Sequence, residues 1–114
     1  MAAGNQSIPE SVVLNSCLGL LALCGIFAWR NNSGALKDRN GRVVRYGLKG
    51  SADIIGILPD GRFLSVECKR PGGKIRPEQI DFMNTINSNN GVACIVHSPD
   101  ELLKALKDAG AIRK

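Results

Sequence analysis

The sequence predicts an α/β fold: a mixed β-sheet flanked by helices, in the order αβββαβ with a C-terminal helix after it. Three observations point there. Two β-branched runs, 52–58 and 62–68, meet at Pro59-Asp60-Gly61; a long apolar segment precedes them; and Pro77 and Pro99 stand at helix starts on either side of a short apolar run at 92–97. A chain of 114 residues holds one core, so residues 1–114 read as a single domain.

Ser7-Ile8-Pro9-Glu10 has the form of a helix start, with Ser7 as N-cap, proline in the first turn and Glu10 closing a capping box. The helix is expected to run to about Trp29. From Leu18 to Phe27 it is apolar all round, so more than one face needs cover. The apolar stretch from Cys17 to Trp29 is shorter than the roughly twenty residues a membrane span requires. No Lys or Arg precedes Arg30 to form the basic start of a signal peptide, so a soluble intracellular protein without membrane contact is expected. From Arg30 to Gly50 the pattern breaks into Asn, Gly, Ser and charge, a basic loop region with a candidate short strand at Val43–Tyr46.

The loop between the two β-branched runs sets which residues face each other. With Asp60-Gly61 as a two-residue turn, Asp53 would oppose Cys68 and Glu67 would lie on the other face. A three-residue loop, with Pro59 and Asp60 in a type I turn and Gly61 left-handed as a bulge, suits these residues better. It pairs Asp53 with Glu67, Ile55 with Ser65 and Ile57 with Phe63, and leaves Ala52, Ile54, Leu64, Val66 and Cys68 on an apolar opposite face. A turn follows at 70–74, then a helix from Pro77 with Ile80, Met83 and Ile86 at helical spacing, and a strand at Val92–His97. The last helix has Ser98 as N-cap, Pro99 at its first position and Glu101 completing a capping box, and ends near Gly110. His97 reads as structural. Cys17, Cys24, Cys68 and Cys94 form no C-x-x-C pair and read as free, packed thiols.

Hydrophobic content of 44% and charged content of 22% are ordinary, but the net charge of +5 is unevenly placed. Residues 30–76 hold eleven Lys/Arg against four acids, residues 1–29 one acid and no base, and residues 77–114 four bases against five acids. Such a basic middle suits either a phosphate-binding surface or a solvated face.

Directly opposed carboxylates repel unless a positive group lies between them. Asp53 and Glu67 are so placed, and Lys69 projects from the same face of the strand as Glu67. Two oxygen ligands and an ammonium suit Mg²⁺ or Mn²⁺, and can polarise a phosphodiester and orient water. The alternative is an ordinary Asp53–Lys69 ion pair at a strand end, with Glu67 solvated.

Gly50-Ser51-Ala52-Asp53, Asp60-Gly61-Arg62, Val66-Glu67-Cys68-Lys69 and Pro71-Gly72-Gly73-Lys74 followed by Pro77-Glu78-Gln79 together resemble the VRR-NUC (virus-type replication-repair nuclease) branch of the PD-(D/E)XK nucleases, over residues from about Glu10 to Leu106. The resemblance implies a restriction-endonuclease-like core and metal-dependent hydrolysis of DNA. It implies that Asp53, Glu67 and the Cys68 carbonyl are metal ligands and that Lys69 positions the attacking water. Gln79 matches the glutamine after the family's glycine turn, against a solvated helix residue. Glu10 matches an N-terminal helix acid that reaches the metal, against a helix cap alone. Ala52 stands where the superfamily name has proline, which this branch commonly lacks. Trp29, Arg30, Asn32 and Gly34 resemble a W-R-x-N-x-G segment leading to substrate, with Trp29 expected in the core and Arg30 on phosphate. Arg42, Arg45, Lys49, Arg70, Lys74 and Arg76 are further candidates for DNA contact.

The leading expectation is a structure-selective endonuclease, a homodimer resolving Holliday junctions with two symmetric sites. The alternatives are a catalytically silent DNA-binding or assembly module with a nuclease fold, and a flap- or restriction-type endonuclease.

Overall fold

The structure, a computed structural model, describes residues 8–112. Helix α1 (Glu10–Leu23) is followed by β1 (Phe27–Arg30), β2 (Gly34–Lys37), β3 (Val43–Tyr46), β4 (Ile54–Ile57), β5 (Phe63–Cys68), α2 (Pro77–Ser88), β6 (Val92–Val96) and α3 (Pro99–Asp108).

Helix α1 ends six residues before Trp29. Gly25 takes φ +70°, and the N–H groups of Gly25 and Ile26 donate to the carbonyls of Ala22 and Leu21 at 3.0 and 2.9 Å. This is a Schellman stop, made by the one residue that enters the left-handed region without strain. The expected helix to Trp29 is thereby corrected: Phe27–Arg30 is a strand. At the other end Pro9 is the N-cap and makes no side-chain cap; the expected cap, Ser7, lies outside the described residues.

The main sheet has the order β1-β4-β5-β6, antiparallel for the first two pairs and parallel for β5 with β6, whose crossover is α2. It is a mixed sheet flanked by helices. β4 and β5 pair as the three-residue loop requires, with Ile54 opposite Val66, Ile55 opposite Ser65 and Ile57 opposite Phe63. Gly61 has φ +93° and donates to the Leu58 carbonyl at 2.8 Å, and the Asp60 carboxylate accepts the Arg62 N–H at 3.0 Å. Carrying the register one residue further sets Asp53 against Glu67.

Val43–Tyr46 is a strand, but not the first of the main sheet. It pairs with Gly34–Lys37, which the sequence did not signal, in a separate two-stranded ribbon whose residues are all exposed. The role expected of it in the sheet belongs to β1, because Phe27-Ala28-Trp29-Arg30 reaches the open edge of β4 directly after the Gly25 stop.

The core lies between one sheet face and the helices α1 and α3. Ile54, Leu64, Val66, Cys68, Val92 and Val96 pack there with Val13, Leu14, Cys17 and Leu21 of α1 and Leu102 and Leu106 of α3. Helix α3 has the expected N-cap, with the Ser98 hydroxyl accepting the Glu101 N–H, but the expected capping box is not closed on Ser98. The Glu101 carboxylate accepts from the N–H of His97 and contacts its Nδ1, so His97 is tied to the cap. The four cysteines are free thiols. On the other sheet face α2 packs over β5 and β6. Phe27, Ile57 and Phe63 are paired across three strands there and exposed, and Trp29, expected in the core, is 44% exposed. No helix among the described residues is long and apolar enough to cross a membrane.

Candidate active site

A cleft of about 380 Å³ opens at the end of the sheet where β4 begins and β5 stops. Its walls include Glu10 from the start of α1, Asp53 just ahead of β4, Glu67 and Lys69 at the end of β5, and Gln79 in the first turn of α2. These residues are far apart in sequence and carry the predicted chemistry. Of the basic set, Arg45, Lys49 and Arg76 line the same cleft. Arg30, Arg42, Arg70 and Lys74 are exposed outside its walls.

The strand register accounts for this placement. Glu67 and Lys69 alternate with Cys68, whose thiol points into the core, so both project to the cleft side. The Cys68 N–H donates to Asp53 Oδ2 at 2.9 Å, fixing that carboxylate across the hairpin. Glu67 Oε2 accepts from Gln79 Nε2 at 3.0 Å and lies 3.5 Å from Lys69 Nζ. Gln79 is itself anchored, because its Oε1 accepts the Arg76 N–H at 2.9 Å. It is therefore no merely solvated helix residue: one end of its amide holds the helix start and the other holds Glu67.

The alternative of an Asp53–Lys69 ion pair beside a solvated Glu67 does not hold. Lys69 pairs with Glu67, and both side chains are buried. Burial, and then the Asp53 charge, push Glu67 up to about 7, with Glu10 adding a smaller push; Lys69 opposes them. At Glu67, then, burial and the nearby carboxylates outweigh the pull of Lys69.

Facing carboxylates of this kind form a hard-oxygen donor set that suits a divalent cation. Among the described residues no three His, Cys, Asp or Glu side chains are gathered tightly enough to hold an ion between them. Mg²⁺ typically takes one or two protein carboxylates and fills its remaining positions with water and phosphate oxygens. The Asp53–Glu67 pair fits that pattern. Glu10 stands in the cleft wall, and its charge is felt at Glu67.

One residue at the site had no signal in the sequence. Asn31 donates its backbone N–H to the Asp53 carbonyl at 2.7 Å, and its Nδ2 to Ser51 Oγ at 2.8 Å and the Ala52 carbonyl at 2.9 Å. In Asn31-Asn32-Ser33-Gly34 it reads as loop composition; only a strand assignment for 27–30 would have put it opposite Asp53. Asn32, the residue singled out by the resemblance, is exposed. In comparisons with known proteins, no family model and no curated protein matches the chain.

Proposed function

We propose that this chain is a Mg²⁺- or Mn²⁺-dependent, structure-selective DNA endonuclease with a restriction-endonuclease-like core of the VRR-NUC kind, acting as a homodimer on Holliday junctions. The observation that carries the reading is the convergence of Asp53, Glu67 and Lys69 in one cleft that also holds Glu10, Gln79, Arg45, Lys49 and Arg76.

Asp53 and Glu67, with the Cys68 carbonyl beside them, would hold the cation. Bound there, it supplies Lewis-acid polarisation of a phosphate and a water of lowered pKa. Everything else is work for side chains. The Cys68 N–H and the Gln79 amide keep the two carboxylates from turning away, which is the pre-organisation a metal site needs. The Glu67 proton would compete with a cation there, so metal affinity would rise with pH up to about 7 and level off above it. Lys69 offsets charge that develops on the phosphate and orients the attacking water. Arg45, Lys49 and Arg76 contact flanking phosphates and set position, not sequence.

The test is to incubate the protein with four-way junction, flap, single-stranded and plain duplex DNA, each with Mg²⁺, with Mn²⁺ and with chelator. Metal-dependent cleavage that favours the junction is expected. DNA binding with no cleavage under any metal would mean a silent binding module instead, and preference for flaps would reassign the substrate.

A further inference from the structure

We infer that Asn31 is a positioning residue for Asp53, setting the metal-binding geometry without touching metal or substrate. The inference rests on the nuclease reading of the cleft and concerns a residue to which that reading gives no part.

Asp53 is exposed to misplacement by its position in the chain. The β1–β4 ladder ends at the pair Arg30 and Ile54, so Asp53 lies one residue beyond the last rung of the strand that should fix it. On its other side the chain arrives from the exposed β2–β3 ribbon through Gly50 and Ser51. A strand end joined to a solvated loop frays, and a metal-binding carboxylate on it would fray too.

Asn31 closes this gap from the facing strand. Its N–H to the Asp53 carbonyl adds one more rung to the ladder. Its side-chain amide then holds the two residues before Asp53, at Ser51 Oγ and at the Ala52 carbonyl, so both hydrogens of Nδ2 are used on the segment that leads into the site. The same segment is confined from behind. Gly50 has φ +84°, and a Cβ there would come within 2.7 Å of the Glu78 carbonyl oxygen, so Gly50 lies against the first turn of α2 while Asn31 holds residues 51–53. Of Asn31's three hydrogen bonds, one thus fixes the backbone of Asp53 and two fix the residues just before it, while the Cys68 N–H fixes its carboxylate. Partners one step removed from a metal ligand commonly change metal affinity or activity by about 10–100-fold when removed.

Asn31→Ala should therefore weaken binding of Mn²⁺, followed by electron paramagnetic resonance in the absence of DNA, by about tenfold or more. It should lower kcat by a similar factor, leave KM for DNA within about twofold and hold Tm within a few degrees. Asn31→Asp keeps the volume but loses both side-chain donors, and should show the same pattern if the alanine variant does not fold. Wild-type Mn²⁺ affinity and kcat in a folded Asn31 variant would overturn the inference and leave the nuclease reading intact. A fall in KM performance and Tm together, with metal affinity unchanged, would also overturn it, because that is what a merely structural residue does. A wild-type protein that neither binds Mn²⁺ nor cleaves would overturn both.

Discussion

Glu67 holds its proton up to a pH of about 7 because it is buried and faces Asp53, with Lys69 compensating only in part. The ordinary value is 4.5, so between those limits the folded, metal-free protein binds a proton that the unfolded chain has released. Its contribution to stability is full below about 4.5 and is lost as pH rises through about 7. Urea denaturation in chelator should show wild-type stability falling across this window, by at most about 3 kcal/mol and by less where solvent screens the charges. In Glu67→Gln the fall should be flattened, since the amide carries neither the proton nor the repulsion. An equal fall in both proteins would assign it to another group. Much of this site was legible from residue types. Asp53, Glu67 and Lys69 could be placed together because a Pro-Asp-Gly loop fixes a hairpin register, and register fixes faces. Asn31 could not, because its importance comes from the strand it ends and not from its own character. The Gln79 contact with Glu67 was equally hidden, since a helix sequence does not say which strand its first turn will meet.

Among the elements, the segment entering β4 shows most directly how local geometry serves the site. Gly50 combines a left-handed φ with a backbone approach that leaves no room for a Cβ, whereas Gly25 has the left-handed φ but open space around it. Gly25→Ala should therefore cost about 1 kcal/mol, the usual penalty for a side chain in that conformation. Gly50→Ala should cost more, up to about 3 kcal/mol, and should also weaken metal binding by displacing the chain ahead of Asp53. Denaturation of the two variants side by side measures the difference; equal losses would show that the Glu78 contact has no effect. Gly25 also explains why β1 escaped the sequence. Apolar residues run on without interruption from α1 into the strand, so periodicity sees one segment, and the only stop signal is a single glycine. β2 escaped for a different reason, as Gly-Ala-Leu-Lys has little β-propensity and gains its pairing from Val43–Tyr46. The capped helix at Pro99, the turn at Gly61 and the strand at Val92–Val96 were readable because each carries its own local chemistry.

At the scale of the molecule, two surfaces invite partners. The basic middle of the sequence includes Arg45, Lys49 and Arg76 at the cleft, and Lys74 exposed outside its walls. DNA affinity should fall steeply with salt, at a log–log slope near −0.9 per phosphate contact on duplex. Replacing Lys74 and Arg76 together should make the slope shallower by up to about two, and an unchanged slope would move the DNA path elsewhere. The second surface is apolar. Leu23 is 87% exposed at the end of α1, and Phe27, Ile57 and Phe63 are exposed on the sheet face that carries α2. Pairing two copies about a twofold axis would cover such surface and present two cleavage sites to a symmetric junction. Light scattering should give a mass near twice 12.2 kDa, reduced toward one chain by Leu23→Glu, whose side chain is free of the core. Leu20 is half-buried and would unsettle the fold if charged. A single-chain mass across micromolar concentrations would remove the dimer and the preference for four-way junctions with it. The measurement closest to the central claim is single-turnover cleavage of a four-way junction in Mg²⁺ by the wild type and by Asp53→Asn, Glu67→Gln and Lys69→Ala, with junction affinity measured in parallel in chelator. Each variant should lose at least about a hundredfold in rate while binding the junction nearly as well as the wild type. Cleavage at the wild-type rate by Asp53→Asn would contradict the proposed site.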